Sequence, residues 1–189
     1  MLVVIVAAVV AIVLGAGGGG TSEPAPDPIG ISGEALAAYP ASGTDPAIGQ
    51  AIPTLSGTSI DGEPMTIGPG DGPMAIVILA HWCPHCQAEV PVIVDFLTAN
   101  GLPDGVRLVG LSTSINRAQP NYPPSAWLTR EGWTVPTMTD DAGSSALAAL
   151  GLGNFPAFVF VDGDGRVVQR ATGEIGADAF DQAIRALAP

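Results

Sequence analysis

Hydrophobic and polar positions divide this chain into three unequal parts. Residues 1–16 (MLVVIVAAVVAIVLGA) are apolar throughout, with no charged side chain. Residues 17–49 are rich in Gly, Pro, Ser and Ala with acidic interruptions, and lack the apolar density that fixes a fold. From about residue 52 the pattern becomes that of a packed domain. Residues 53–59 and 64–67 flank Asp61-Gly62, a hairpin signal. Residues 74–80 (MAIVILA) form a continuous apolar, β-branched run bounded by turns, which predicts a strand buried on both faces. Residues 106–111 (VRLVGL) and 157–161 (AFVFV) repeat that signal.

Between these strands the period changes. After Cys86, apolar residues recur at Ala88, Val90, Ile93, Val94 and Leu97, which predicts a helix ending near Asn100-Gly101 with a kink at Pro91. Residues 112–124 read as irregular, 125–132 as a short helix, 134–138 as a brief extended piece and 144–150 as a helix stopped by Gly151 and Gly153. The Asp162-Gly163-Asp164-Gly165 turn predicts an antiparallel return over residues 166–171. Residues 177–187 close the chain as a helix with Phe180, Ile184 and Leu187 on one face. Helical crossovers suit parallel pairs and the tight turn suits an antiparallel one. The expected class is therefore α/β: a mixed sheet with helices on both faces, preceded by an N-terminal apolar helix.

This divides the chain into a signal anchor or signal peptide (residues 1–20), a flexible linker (21–49) and one folded domain (50–189). A short helical turn over residues 31–39 could rest against the domain. The apolar start suits an uncleaved single-pass anchor in the cell membrane, with the domain on the extracytoplasmic side. A cleaved signal peptide, giving a secreted protein, is the alternative, although no basic n-region and no clear cleavage site accompany it.

Charge narrows the partners. The chain has 18 acidic and 6 basic residues, a formal charge of −12, and all six basic residues are scattered arginines. No basic stripe exists to neutralise a phosphate backbone, so nucleic acid is not an expected partner.

The chemistry is concentrated at one place. The only two cysteines are Cys83 and Cys86, which excludes a disulfide framework and an all-thiolate zinc site. They follow a buried strand and open a helix. Unpaired amides and the helix dipole there favour negative charge on sulfur. Dithiol–disulfide exchange needs one accessible attacking thiolate and a second thiol within reach to resolve the mixed disulfide. Cys83 suits the first role and Cys86 the second. Pro84 removes an amide that would lack a helical partner, and His85 can hold positive charge beside the sulfur. Metal binding competes with this reading, since His81, Cys83, His85 and Cys86 are four potential ligands. A tight turn strains their closure about one ion, and no metal or cofactor is expected.

The stretch from Leu79 to Pro91, LAHWCPHCQAEVP, resembles the active-site region of membrane-anchored thioredoxin-like proteins of the TlpA/DsbE type. The matching residues are Trp82, Cys83, Cys86, Glu89 and Pro91. The Pro84-His85 centre is similar to that of the oxidising relative DsbA. Asn154-Phe155-Pro156-Ala157 resembles the family's cis-proline segment. The resemblance covers about residues 52–188 and implies a thioredoxin-like fold. It implies a redox-active disulfide between Cys83 and Cys86, and a cis Pro156 facing it. It further implies that the Phe155 backbone pairs with bound peptide, that Trp82 shields the dithiol or contacts substrate, and that Glu89 moves a proton from Cys86. His81 stands where the family often has a small or polar residue. Val77 stands where thioredoxin has a buried aspartate, which leaves Glu89 as the proton handler.

The expected function is an extracytoplasmic thiol–disulfide oxidoreductase acting on cysteines of exported proteins. A membrane or extracytoplasmic redox partner is implied. Pro84-His85 inclines the reading towards an oxidant. The alternatives are a reductant for cytochrome c maturation and a non-enzymatic peptide-binding module of the same fold. A peroxide reductase is disfavoured because no thiol lies beyond the pair.

Overall fold

The computed structural model describes residues 27–188. Two sheets are present. A small antiparallel sheet has the order β1-β2-β3, with β1 Gly30–Ser32, β2 Thr54–Thr58 and β3 Pro64–Ile67. The central sheet has five strands in the order β6-β5-β4-β7-β8: β4 Met74–Leu79, β5 Arg107–Ser112, β6 Thr137–Thr139, β7 Ala157–Val161 and β8 Val167–Thr172. Strands β4, β5 and β6 run parallel, and β7 and β8 are antiparallel to their neighbours. The helices are α1 Pro84–Asn100, α2 Pro124–Arg130, α3 Ser145–Ala149 and α4 Gly176–Arg185. The expected mixed sheet with flanking helices is observed.

The central strands alternate between two cores, as the period of a strand requires. Met74, Ile76 and Ile78 of β4 join Ala157, Val159 and Val161 of β7 on one face, under α3 and the small sheet. Ala75, Val77 and Leu79 join Phe158 and Phe160 on the other, under α1, α2 and α4. A strand buried on both faces cannot show polar alternation, which explains its unbroken apolar sequence. Phe180 of α4 packs edge-on against Phe96 of α1 and tilted against Phe158 and Phe160. That aromatic group locks both helices to the sheet beneath the cysteines.

Helix α1 is continuous through Pro91, which has no amide to give the Gln87 carbonyl. Its buried stripe is Cys86, Glu89, Val90, Ile93 and Phe96. The sequence reading placed Ala88 on that stripe; Ala88 is exposed, and the acid Glu89 takes the buried position. The chain leaves the helix at Gly101, whose φ of 70° lies in the left-handed region that glycine tolerates.

The segment before the domain differs from the expected tether. Gly30–Ser32 is a strand paired with β2, where a helical turn was expected. Beyond it, Leu36 and Ala47 are buried, and the Leu36 and Tyr39 amides donate to Ala149 and Gly151 carbonyls. Arg170 of β8 clamps the segment: its Nη2 and Nε donate to the Asp45 carboxylate at 2.6 and 2.9 Å. Its Nη1 donates to the Leu150 carbonyl at 2.8 Å. A Gly/Pro-rich composition hides this docking because it depends on one buried ion pair and a few backbone bonds, and not on apolar periodicity.

The membrane expectation is corrected. A span needs about 20 apolar residues. The longest helix among the described residues, α1, has 17 residues and contains Glu89 and Asp95. Among the described residues no helix is long and apolar enough to cross a membrane. That finding overturns the expected single-pass topology, signal anchor and attachment through the N-terminal segment. The apolar residues 1–20 on which they rested lie outside the described residues.

Candidate active site

The site forms where β4 ends and α1 begins. The Cys83 amide donates to the Ala80 carbonyl at 3.0 Å, closing a turn, and Cys83 then serves as the N-cap of α1 with Pro84 at its first helical position. The first helical bond runs from the Gln87 amide to the Cys83 carbonyl. This turn presents the Cys83 sulfur beside the unpaired amides of the helix start.

Both cysteines are free thiols with unequal access: Cys83 is 6% exposed and Cys86 is 0%. Cys83 is more covered than the sequence suggested, because the Phe155 segment lies over it. Its Sγ donates to the Phe155 carbonyl at 3.6 Å. Cys86 lies below, with the Ala80 amide donating to its Sγ at 3.4 Å. Burial pushes the Cys86 thiol well above its ordinary value; the Ala80 amide opposes this, and the charges of Cys83 and Glu89 add to it.

The Phe155–Pro156 peptide is cis and Pro156 is buried. The Phe155 ring stands edge-on to the Trp82 ring, with centroids 5.3 Å apart. The Trp82 indole donates to the Ser114 carbonyl at 2.8 Å. Trp82 and Phe155 thus form one wall beside the thiols, held by a loop 32 residues further on.

That loop is organised by His81. The ring is fully buried. Its Nδ1 donates to the Pro120 carbonyl at 2.7 Å, and its Nε2 accepts from the Asn116 amide at 3.2 Å. One nitrogen donating and the other accepting defines a neutral ring with the proton on Nδ1. Burial holds its pKa below the ordinary histidine value, against the Pro120 contact. The His81 carbonyl also accepts from the Gln87 and Asn121 side-chain amides. In this loop Ser114 and Asn121 have φ of 51° and 62°, left-handed values that cost about 1–3 kcal/mol each and persist only when neighbours hold them. Ser114 and Asn116 also line a cleft of about 960 Å³ with Ser59, Ile60, Tyr122 and Ser125.

Glu89 is 1% exposed, one helical turn beyond Cys86. Its Oε1 accepts the backbone amides of Ile175 and Gly176 at 3.2 and 3.0 Å, where α4 starts. His85 points outward, and its Nδ1 lies 2.6 Å from Glu174 Oε1. The metal alternative requires His81 and His85 to converge with the cysteines, whereas one ring faces the loop and the other faces Glu174. No cluster of three or more metal-ligating side chains is present among the described residues.

Sequence reasoning named Trp82, Cys83, Pro84, His85, Cys86, Glu89, Phe155 and Pro156, and the structure brings all of them to one end of α1. It missed the tasks of His81, Ser114 and Glu174. Each acts through a contact 32 to 89 residues distant in the chain, which no local spacing encodes.

A thioredoxin-like sheet that delivers a Cys-Pro-His-Cys pair to a helix start, facing a cis proline, defines a thiol–disulfide oxidoreductase. The Redoxin family model matches residues 47–184, and the chain belongs to that family. Among solved structures, a thiol:disulfide interchange protein of the thioredoxin family from Chlorobium tepidum is 22% identical with a TM-score of 0.60, covering 74% of this chain and 96% of that one. A secreted Mycobacterium tuberculosis disulfide oxidoreductase homologous to E. coli DsbE is 22% identical, with a TM-score of 0.57 and coverage of 70% and 95%. The M. tuberculosis DsbF structure is 25% identical, with a TM-score of 0.57 and coverage of 70% and 93%.

Proposed function

We propose that the protein reduces disulfides in polypeptide substrates, with Cys83 as nucleophile and Cys86 as resolving thiol. The observation that supports these roles is the graded burial of the two thiols: Cys83 keeps 6% exposure against the Phe155 carbonyl, and Cys86 is fully buried. The Cys83 thiolate attacks one sulfur of the target disulfide and expels the other, which takes up a proton. Cys86 then gives up its proton and attacks Cys83, releasing the second target thiol. The target gains two electrons and two protons, and Cys83–Cys86 becomes a disulfide that an external dithiol must reduce again.

Glu89 receives the Cys86 proton in the resolving step. Its burial one turn from Cys86 supports that role, since a buried thiol with a raised pKa needs a base at hand. Phe155 and Pro156 present backbone to the bound chain, Trp82 covers the pair, and the cleft beside Ser114 takes the polypeptide flanking the target cysteines. The folded domain that does this begins near residue 50, with the preceding segment docked upon it.

Similarity to DsbE-type proteins favours the reducing direction, and haem-attachment cysteines of apocytochrome c are the substrate class that this similarity suggests. Pro84-His85 is the feature that favours an oxidant. Equilibration with glutathione, together with reduction of a disulfide-closed Cys-x-x-Cys-His peptide, tests the direction. A potential towards that of thioredoxin, roughly −270 mV, is expected; one near DsbA's, roughly −120 mV, would overturn it. Cys83→Ser abolishes turnover and Cys86→Ser traps the mixed disulfide. Unchanged turnover in Cys83→Ser would refute the assignment of the nucleophile.

A further inference from the structure

Residues 173–176, the turn between β8 and α4, contact three residues of the site: Pro156, His85 and Glu89. The Gly173 amide donates to the Pro156 carbonyl at 2.8 Å. Glu174 meets His85, and the next two amides, of Ile175 and Gly176, meet Glu89. Gly173 and Gly176 have φ of 83° and 72°, so the turn depends on glycine at both ends. Glu174 is thus held from both sides by backbone bonds, unlike a surface acid on a free side chain.

We infer that Glu174 is a positioning residue that sets the redox poise of the Cys83–Cys86 pair through His85. This deepens the reducing assignment above and rests on it. An imidazole in the first turn of α1 favours a thiolate at Cys83 when it carries positive charge, and so favours the reduced form and an oxidising protein. A carboxylate 2.6 Å from Nδ1 offsets that charge and fixes the ring towards itself. The oxidising push of Pro84-His85 is thereby damped, and the same four-residue centre can serve a reductant. Because His85 and Glu174 side chains are 72% and 45% exposed, salt must weaken the effect.

The test is the equilibrium constant between the full chain and glutathione for wild type, Glu174→Gln, Glu174→Ala, His85→Ala and the His85→Ala/Glu174→Gln double variant. Glu174→Gln should shift the equilibrium towards reduced protein by about threefold to tenfold, tenfold being about 30 mV for two electrons. Glu174→Ala should shift it in the same direction. The shift should shrink in 1 M salt, where the Debye length is about 3 Å, and should fall by at least half in the His85→Ala background. Wild-type behaviour of both single Glu174 variants, or an undiminished shift without His85, would overturn the inference while leaving the exchange reading intact. A wild-type chain that forms no reversible Cys83–Cys86 disulfide would overturn both.

Discussion

Replacing Glu89 separates its anchoring contacts from the proton-transfer role proposed for the same carboxyl group. Its Oε1 accepts two backbone amides at the start of α4, from a position 1% exposed. Glu89→Ala strands both donors. An unpartnered buried amide costs about 1–3 kcal/mol, so two set an upper bound of about 2–6 kcal/mol, reduced because Ile175 and Gly176 are half-buried and water can enter the vacated space. Glu89→Gln retains an acceptor oxygen and loses the charge-assisted part and the helix-dipole contribution, about 0.5–2 kcal/mol. Urea unfolding of the reduced protein measures both variants, and a change in midpoint at constant slope identifies a stability effect. For a domain of this size each kcal/mol moves the melting temperature by about 2–4 °C, so thermal scans can check the ranking. Stability of Glu89→Ala within about 0.5 kcal/mol of wild type would refute the anchoring argument. So would equal losses in both variants. The same pair reads the proton role: Glu89→Gln should slow resolution of a Cys83 mixed disulfide by about a hundredfold, the low end of general-base effects. If resolution proceeds at the wild-type rate, Glu89 is only an anchor.

Two further outcomes are expected. Asp45→Ala leaves the buried Arg170 guanidinium without its counter-ion, held by the Leu150 carbonyl and the Tyr39 ring, and should cost about 3–5 kcal/mol and expose residues 33–49 to proteolysis; a loss below about 1 kcal/mol would show that the ion pair does not hold the segment. For His81, the folded pKa lies below the unfolded one, so the unfolded state binds more protons as pH falls. Its stabilising contribution is complete above the ordinary value near 6.5 and is lost as pH falls below that towards the folded value. Unfolding free energy should therefore decline between about pH 7 and pH 5, and His81→Asn should flatten that decline; an identical slope in the variant would contradict the neutral, loop-holding ring.

Much of the architecture is legible along the chain because it rests on repeating apolar positions. Strands β4 and β7 are buried on both faces and read as unbroken apolar runs, and β5 does so from Leu108 to Leu111, after the exposed Arg107. The return into β8 is visible because Asp162 accepts the Asp164 and Arg166 amides, a turn that aspartate and glycine favour. The strand β1 was not legible: all three of its residues are exposed, and it exists through pairing with β2. The extent of α1 was clear, but its buried face was misjudged by one position, because a carboxyl on the buried stripe imitates a solvent-facing residue.

The sequence by itself determined where the dithiol motif lies. Two cysteines three positions apart at a strand-to-helix junction, with Trp82, Glu89 and a distant Phe155-Pro156, suffice to locate an exchange site, since spacing and local backbone create it. Tertiary structure alone decided how that site is governed. Burial separates Cys83 from Cys86, the 114–124 loop turns His81 into a neutral strut, and the 173–176 turn brings Glu174 to His85 across 89 residues. Such polar contacts are single and non-local. They leave no period in the sequence and exist only once the sheet has brought the ends of its strands together.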